Sequence, residues 1–476
     1  MDSVNISGKR TLYDLLMVTG SNLIHLIANI MFGLLLPVIL SNADYGFYKT
    51  YTLYIGYCGL LHLGFVDGIV LKYAGKEYAN IDKRVFCSYT KIFFTIEALF
   101  SLITISLGIL LFRNEARIIA IFVGINITMY SMTLYYQYIS QATSRFKEFT
   151  FRKILNSLLT ILAVIVMLVM KLKGKWTNIE YWEIIITVQI ISAILLAWYV
   201  WTYKDITFGQ GVAIKSISYD VIEICKKGII LTVAYEFAQL MLQMDRQFVS
   251  VLFSIETFGQ YAFAYNLLSC VTTMVTAIST VMFPLLKKMK KDQALKMLPK
   301  GMTLMSILVC FILSGTTIIE LLVNQFLPDY VMSLVYFKIV FPALAMTCCV
   351  TIIMFTFYKL MDCIFVYLKC SLITLVVSFV LNVFSYLIWK TPEAIAIASV
   401  LSVALWYAAV SSNLEKICYY KWKKDYVYIL SMIAVYYMVF NMVVNPIISI
   451  IVYLMVFTLV TYVFKRKELR DILGNK

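Results

Sequence analysis

Two histidines and 26 acidic residues in a chain of 476 leave little material for polar chemistry. Zinc centres draw on His and Cys at close spacing, so none is expected here. The ten cysteines include no Cys-x-x-Cys, only Cys348 and Cys349 are adjacent, and most lie inside apolar runs, which is not a disulfide framework. Charged residues make up 14% of the chain, against roughly 25% in soluble domains. No nucleotide-binding loop is present: Gly209-Gln210-Gly211 followed by Lys215-Ser216 lacks the Gly that must directly precede the Lys. A nucleophile elbow and a His-Glu-x-x-His are also missing. The longest outer loop expected, Lys171–Glu183, is too short to house a separate active site. These absences argue against an ATPase and a soluble enzyme.

Apolar side chains are abundant. They form 62% of the chain, where a soluble domain holds about 45–50%, and the mean hydropathy is +0.85. No soluble core absorbs that much apolar surface, so lipid must. A helix needs about 20 mostly apolar residues to cross a bilayer. Candidate spans are 12–40, 51–73, 92–112, 118–139, 154–170, 184–203 and 229–253. They continue at 261–286, 302–323, 334–358, 364–388, 394–414, 427–444 and 447–464. The expected fold is an all-α integral membrane protein of about fourteen transmembrane helices. The first run is too long for a signal peptide and is read as a retained helix.

The net charge of +15 is not gathered on one face, as nucleic-acid binding requires. Basic residues sit in clusters at 72–91, 145–153, 204–227, 287–300, 416–424 and 465–476, and an even number of spans places all of them with both termini in the cytoplasm. Lys171, Lys173 and Lys175 run against that orientation.

Residues 211–227 differ from the spans. Val212, Ile214, Ile217, Val221 and Ile224 roughly follow helical spacing among Lys215, Asp220, Glu223 and Lys226, the pattern of an amphipathic helix on the inner leaflet. Tyr45-Gly46-Phe47-Tyr48 after span one and Phe258-Gly259-Gln260-Tyr261 after span seven share aromatic-Gly-x-Tyr at corresponding places. Such repeats are common in transporters. The expected division is an N-lobe over 1–204, an amphipathic cytoplasmic linker over 205–227 and a C-lobe over 228–417. A further helix pair with a basic cytoplasmic tail occupies 418–476.

Ionisable groups at membrane depth are costly and usually face a cavity. Asp245-Arg246 in span seven are either a cavity wall, with Arg246 attracting phosphate, or a local pair with a snorkelling Arg. Glu236 is 2.5 turns earlier, on the other face of the helix. It and Asp245 are the candidates for coupling to a proton or cation, with pairing to a neighbouring helix as the alternative for Glu236. His25 and Asn29 lie one turn apart on one face of span one, and are either substrate contacts or packing groups. His62 and Asp67 in span two form a similar, weaker pair. Lys338 either adds positive charge to the cavity or snorkels. Tyr136 and Gln137, within a run of Tyr and Gln in span four, suit a sugar ring, although tyrosines are plentiful throughout. Glu97 and Glu320 are isolated acids.

Several motifs, in this order, carry a family resemblance. They are Asp44-Tyr45-Gly46-Phe47-Tyr48, Leu63-Gly64-Phe65 with Lys72-Tyr73, Asp245-Arg246 with Phe258-Gly259-Gln260-Tyr261, and Phe326-Leu327-Pro328-Asp329-Tyr330 with Phe337-Lys338-Ile339-Val340. Over roughly residues 10–460 the chain resembles the polysaccharide/oligosaccharide flippases of the multidrug/oligosaccharidyl-lipid/polysaccharide (MOP) exporter superfamily, which includes the MATE exporters. The resemblance implies two six-helix lobes around a partly cationic central cavity, with alternating access. It implies an undecaprenyl-diphosphate-linked repeat unit of O-antigen, capsule or exopolysaccharide as substrate, and a bacterial plasma membrane as the location. Arg246 and Lys338 would then be cavity cations, membrane lipid a partner, and a polysaccharide polymerase and glycosyltransferases further partners. No cofactor is implied beyond an H+ or Na+ gradient, which stays open. The pair at 427–464 departs from the twelve-span flippases. Lipid II flippases have such a pair, yet their arginine-rich first helix is missing here. A cation or drug antiporter of the same fold, and a polytopic polysaccharide polymerase or ligase, are the alternatives.

Overall fold

Apolar runs of this length form helices because a bilayer leaves no other partner for the backbone N–H and C=O groups. A computed structural model describes residues 2–473 except Ser144, Thr177, Lys290, Tyr419 and Val444. The side chains of 2–16, 18–19, 274, 276–285, 287–288, 291–292 and 471–473 are also outside the description. The N-terminal Lys9 and Arg10, part of the basic cluster at 287–300 and the end of the basic tail at Lys476 therefore lie outside the described residues.

Every regular element among the described residues is helical. In order they are α1 (Asp2–Ile39), α2 (Asn42–Ile55), α3 (Phe65–Tyr73), α4 (Lys83–Leu111), α5 (Asn114–Ala142), α6 (Phe146–Leu172), α7 (Tyr181–Thr202), α8 (Lys204–Thr207) and α9 (Ile214–Leu252). There follow α10 (Ile255–Lys288), α11 (Lys291–Ile312), α12 (Thr316–Phe326), α13 (Ser333–Val340), α14 (Leu344–Cys348) and α15 (Phe355–Leu360). The last are α16 (Ile364–Trp389), α17 (Pro392–Cys418), α18 (Lys423–Met442) and α19 (Pro446–Leu473). Among the described residues, eleven spans are long and apolar enough to cross a membrane, or twelve with the bent pair α2–α3. The expected count of fourteen is thus not reached on that measure. The two remaining expected spans lie in α9 and α10; in α9 the polar Glu236, Gln239, Gln243, Asp245 and Arg246 dilute the apolar run.

Three expected spans are broken rather than continuous. Residues 51–73 divide into α2 and α3, bent by 52°. Leu63 and Gly64 adopt positive φ there, and the break is closed by short turns such as Leu63 N–H to Leu60 C=O at 3.2 Å. The span at 302–323 divides at a short 3-10 turn, Leu313–Gly315. The span at 334–358 contains Pro342, which lacks a backbone donor, and a π-helical segment, Cys349–Met354, between α14 and α15.

The chain separates into two compact units, Met1–Glu236 and Phe237–Lys476. The first has an aromatic centre: Phe65 stacks on Phe93 at 5.4 Å, Phe93 on Tyr135 at 5.3 Å, and Tyr136 on Tyr203 at 5.6 Å. The phenol hydroxyls are bonded, Tyr135 to Thr90 (3.0 Å), Tyr136 to Thr207 (2.8 Å) and Tyr203 to Ser140 (2.7 Å). Burying the rings therefore orphans none of these polar tips. The expected amphipathic segment begins α9 and is docked on this centre: Ile217 and Ile224 are buried, and Asp220 receives both Lys72 and the Tyr89 hydroxyl. Backbones meet closely here. A Cβ on Gly228 would lie 2.5 Å from Gly68 N and 2.9 Å from Gly64 C.

In the second unit α16 pairs with α17, α13 with α10 and α17, and the C-terminal pair α18–α19 packs on α11. The pair is fastened by a buried ion pair, Asp425–Lys465, whose carboxylate also takes the Tyr420 hydroxyl, and by Lys424–Glu468 at 2.6 Å. Both units share one device at the aromatic-Gly-x-Tyr repeat. Ser41 Oγ caps α2 through Asp44 N at 3.1 Å, and Ser254 Oγ caps α10 through Thr257 N at 3.3 Å. The cap precedes the aromatic by four residues in each case, so the repeat lies in the first turns of a helix rather than in a loop.

Candidate functional site

Each unit holds a polar cavity. In the second unit it measures about 300 Å³, between α9, α10, α13, α14 and α17. Arg246 lines it, with Tyr265, Ser269, Thr272, Thr347 and Ser399 among its neighbours. The guanidinium carbon sits 4.6 Å from the Tyr265 ring centroid, a cation–π contact, and Nη2 reaches Leu242 C=O at 3.3 Å. Arg246 Nε has no hydrogen-bond partner, and no carboxylate pairs with the guanidinium among the described residues. Inserting an arginine at the centre of a span costs about 2.5–3.5 kcal/mol. A cation left without a counter-charge in a hydroxyl-lined cavity is set to receive an anion.

Its sequence neighbour is used differently. Asp245 is fully buried and accepts from Tyr261 Oη at 2.7 Å and from the Tyr265 hydroxyl. Two phenols therefore hold the carboxylate, which orders the aromatic wall beneath Arg246. Lys338 differs from the expected cavity cation: it does not line this cavity, and its Nζ pairs with Glu320 Oε1 at 2.9 Å. That pair also accounts for Glu320.

The cavity of the first unit is larger, about 480 Å³, between α1, α2, α5, α6 and α7. His25 and Gln137 line it. His25 Nδ1 shares a hydrogen bond with Ser157 Oγ at 2.8 Å, and Nε2 meets Asn29 Nδ2 at 3.2 Å, so Asn29 supports the His25 ring from behind. Tyr136 does not line the cavity but lies in the aromatic centre. Glu236 packs over Gly59 at the α2–α3 break, where a Cβ would meet its Cδ at 2.8 Å. Glu97 is wholly buried in α4 beside Ser131.

Reasoning from sequence missed Arg152, Lys153, Asn126, Asn156 and Gln189, which also line this cavity. Arg152 and Lys153 fall in a basic cluster assigned to a cytoplasmic loop, whereas α6 already runs through them. The amides did leave a signal: Asn126, Tyr130, Thr133, Gln137 and Gln141 recur at helical spacing along one face of α5.

A membrane-embedded helical chain with polar cavities narrows the relatives, and a family described as polysaccharide biosynthesis protein matches residues 8–290, more than half the chain. The chain belongs to that family. No curated protein matches it by sequence. Among solved structures it is similar to the lipid II flippase MurJ in an inward closed conformation, at 12% identity and a TM-score of 0.69, covering 96% of this chain and 100% of that one. It is similar to an inward-facing multidrug resistance MATE family transporter of the MOP superfamily at 14% identity and a TM-score of 0.52, covering 89% and 98%. Another MATE structure gives 11% identity and 0.56. This polysaccharide biosynthesis protein therefore has the fold seen in MOP-type flippases and exporters, and is a multi-span membrane protein.

Proposed function

We propose that this polysaccharide biosynthesis protein is a transporter, not an enzyme, that moves an undecaprenyl-diphosphate-linked oligosaccharide repeat unit from the inner to the outer leaflet of a bacterial plasma membrane. The observation that carries this reading is Arg246, a cation without an acidic partner in a hydroxyl-lined cavity inside a membrane span. A diphosphate cannot enter hydrocarbon unaided, and a fixed guanidinium with nearby hydroxyls lowers that barrier by charge-assisted hydrogen bonds. The family membership supports a polysaccharide-building pathway. The glycan destination, whether O-antigen, capsule or exopolysaccharide, follows from the repeat unit carried. Glu236 is the acid placed for ion coupling, since Asp245 is already taken up by two tyrosines.

Deletion in the native host, followed by mass spectrometry of extracted lipids, tests the reading. Intact lipid-linked repeat units accumulate and surface polysaccharide disappears if translocation is the missing step. Unchanged lipid-linked glycan with raised sensitivity to cationic drugs would move the function to efflux on the same fold.

A further inference from the structure

The larger cavity has a composition that a lipid anchor does not require. Asn126, Gln137 and Gln141 on α5, Asn156 on α6 and Gln189 on α7 place five amides around it. Each amide both donates and accepts, which matches the hydroxyl groups of a sugar. Tyr130, Tyr138 and Tyr199 add flat apolar faces to the same walls. Its volume, about 480 Å³, is within the range of small-molecule sites.

Arg152 sets the charge. Its side chain is 3% exposed, its Cζ lies 4.0 Å from the Tyr199 ring centroid, and Nη2 donates to Thr202 Oγ1. Nε and Nη1 have no hydrogen-bond partner. The nearest carboxylate, Glu148 Oε2, is 3.8 Å from Nη1 and belongs to a side chain already bound to Arg145. Lys153 is next along the helix, its Nζ donating to the neutral Asn22 Oδ1 at 2.6 Å. No Asp or Glu is among the described lining residues. Two cations with donors to spare in a buried, amide-lined site are incomplete without an anion.

Resting on the flippase reading above, we propose that this cavity receives an acidic sugar of the repeat unit, its carboxylate taken by Arg152 and Lys153 and its hydroxyls by the surrounding amides. The planar guanidinium fork matches a carboxylate in two parallel hydrogen bonds, and a sugar-borne anion is the ligand that also uses the amides and tyrosines. The diphosphate, by contrast, is assigned to Arg246 in the other unit.

The lipid-linked units accumulated by the deletion strain give the first test, because their mass and fragmentation identify each sugar. A carboxylate-bearing sugar is expected; a wholly neutral repeat unit would overturn the proposal while leaving the flippase reading standing. Failure of any lipid-linked unit to accumulate would remove the flippase reading, and this inference with it. The second test uses full-length protein in detergent, titrated with glucuronosyl-glucose and with neutral cellobiose. The acidic disaccharide should bind about tenfold more tightly. Arg152→Gln and Lys153→Gln should abolish that preference, and Arg152→Lys should restore part of it. A preference that survives in both Gln variants, or is absent from the wild type, refutes the assignment. Equal loss of both ligands in a variant that stays folded marks a merely structural arginine and refutes it as well.

Discussion

Gly228→Ala tests how the start of α9 is seated. A methyl there would lie 2.5 Å from Gly68 N and 2.9 Å from Gly64 C, where ordinary contact begins at 3.4 Å. Both obstacles are backbone, so no side chain can turn aside, and α9 must withdraw from α3 by about 1 Å. A gap of 0.5–1 Å forfeits roughly a quarter to a half of each dispersion contact along the seam. The Lys72–Asp220 and Tyr89–Asp220 links would be stretched with it. Overpacking of this kind costs about 1–3 kcal/mol. In detergent-solubilised protein followed by a thermal aggregation assay, that corresponds to a fall of about 2–12 °C in Tm. Gly301→Ala is the internal control: its methyl would meet Ile353 Cγ2 at an ordinary 3.6 Å. An alanine in a helix interior is favoured over glycine by about 0.5–1 kcal/mol, so this variant should be unchanged or slightly stabilised. A Gly228→Ala protein as stable as Gly301→Ala would refute the close-packed seam.

Two further outcomes are expected. Arg246→Gln, at normal membrane level, should lower the rate of surface polysaccharide appearance by about 10–100-fold, the loss of one charge-assisted contact of about 1.5–3 kcal/mol, with Arg246→Lys intermediate; wild-type rates would dismiss the anion role. Asp425→Asn should destabilise the C-terminal helix pair by about 3–5 kcal/mol, since Lys465 would be left buried and uncompensated, and adding Lys465→Met should recover most of it. Equal Tm values for the single and double variants would show that the pair is not buried as described.

The spans were legible because the bilayer imposes one length and one pattern on them, and all fourteen expected ranges are helical. Their interruptions were less so. Gly64 and Pro342 stood in the sequence, but only the positive φ at Leu63 and Gly64 shows that 51–73 bends, and the wide turn at Cys349–Met354 has no sequence signature. Site residues divided along similar lines. Arg246 was conspicuous because it interrupts an apolar run. The partners of its neighbour Asp245 lie 16 and 20 residues away on α10, beyond any local pattern. Glu320 and Lys338 belong to α12 and α13, separated by a turn, and a single sequence gives no reason to pair them. Arg152 was hidden for the opposite reason: charge counting assigns basic clusters to loops and does not see where a helix has already begun. The amide stripe on α5 was readable, since helical spacing of polar residues identifies a wet face as well as apolar spacing identifies a dry one.

The wide turn at Cys349–Met354 bears on how this protein tolerates change in length. One more residue is wound into that stretch than an α-helix would hold, and each residue of an α-helix advances the azimuth by about 100°. The aim of α15 is therefore set by that extra residue: with it, Tyr358 Oη reaches Val410 C=O at 2.8 Å. A chain shortened by one residue there would wind into an unbroken α-helix with every amide satisfied. It would also point Tyr358 about a quarter of a turn away from its acceptor. In this segment backbone contentment and correct orientation are separate quantities, and the sequence has settled for the second.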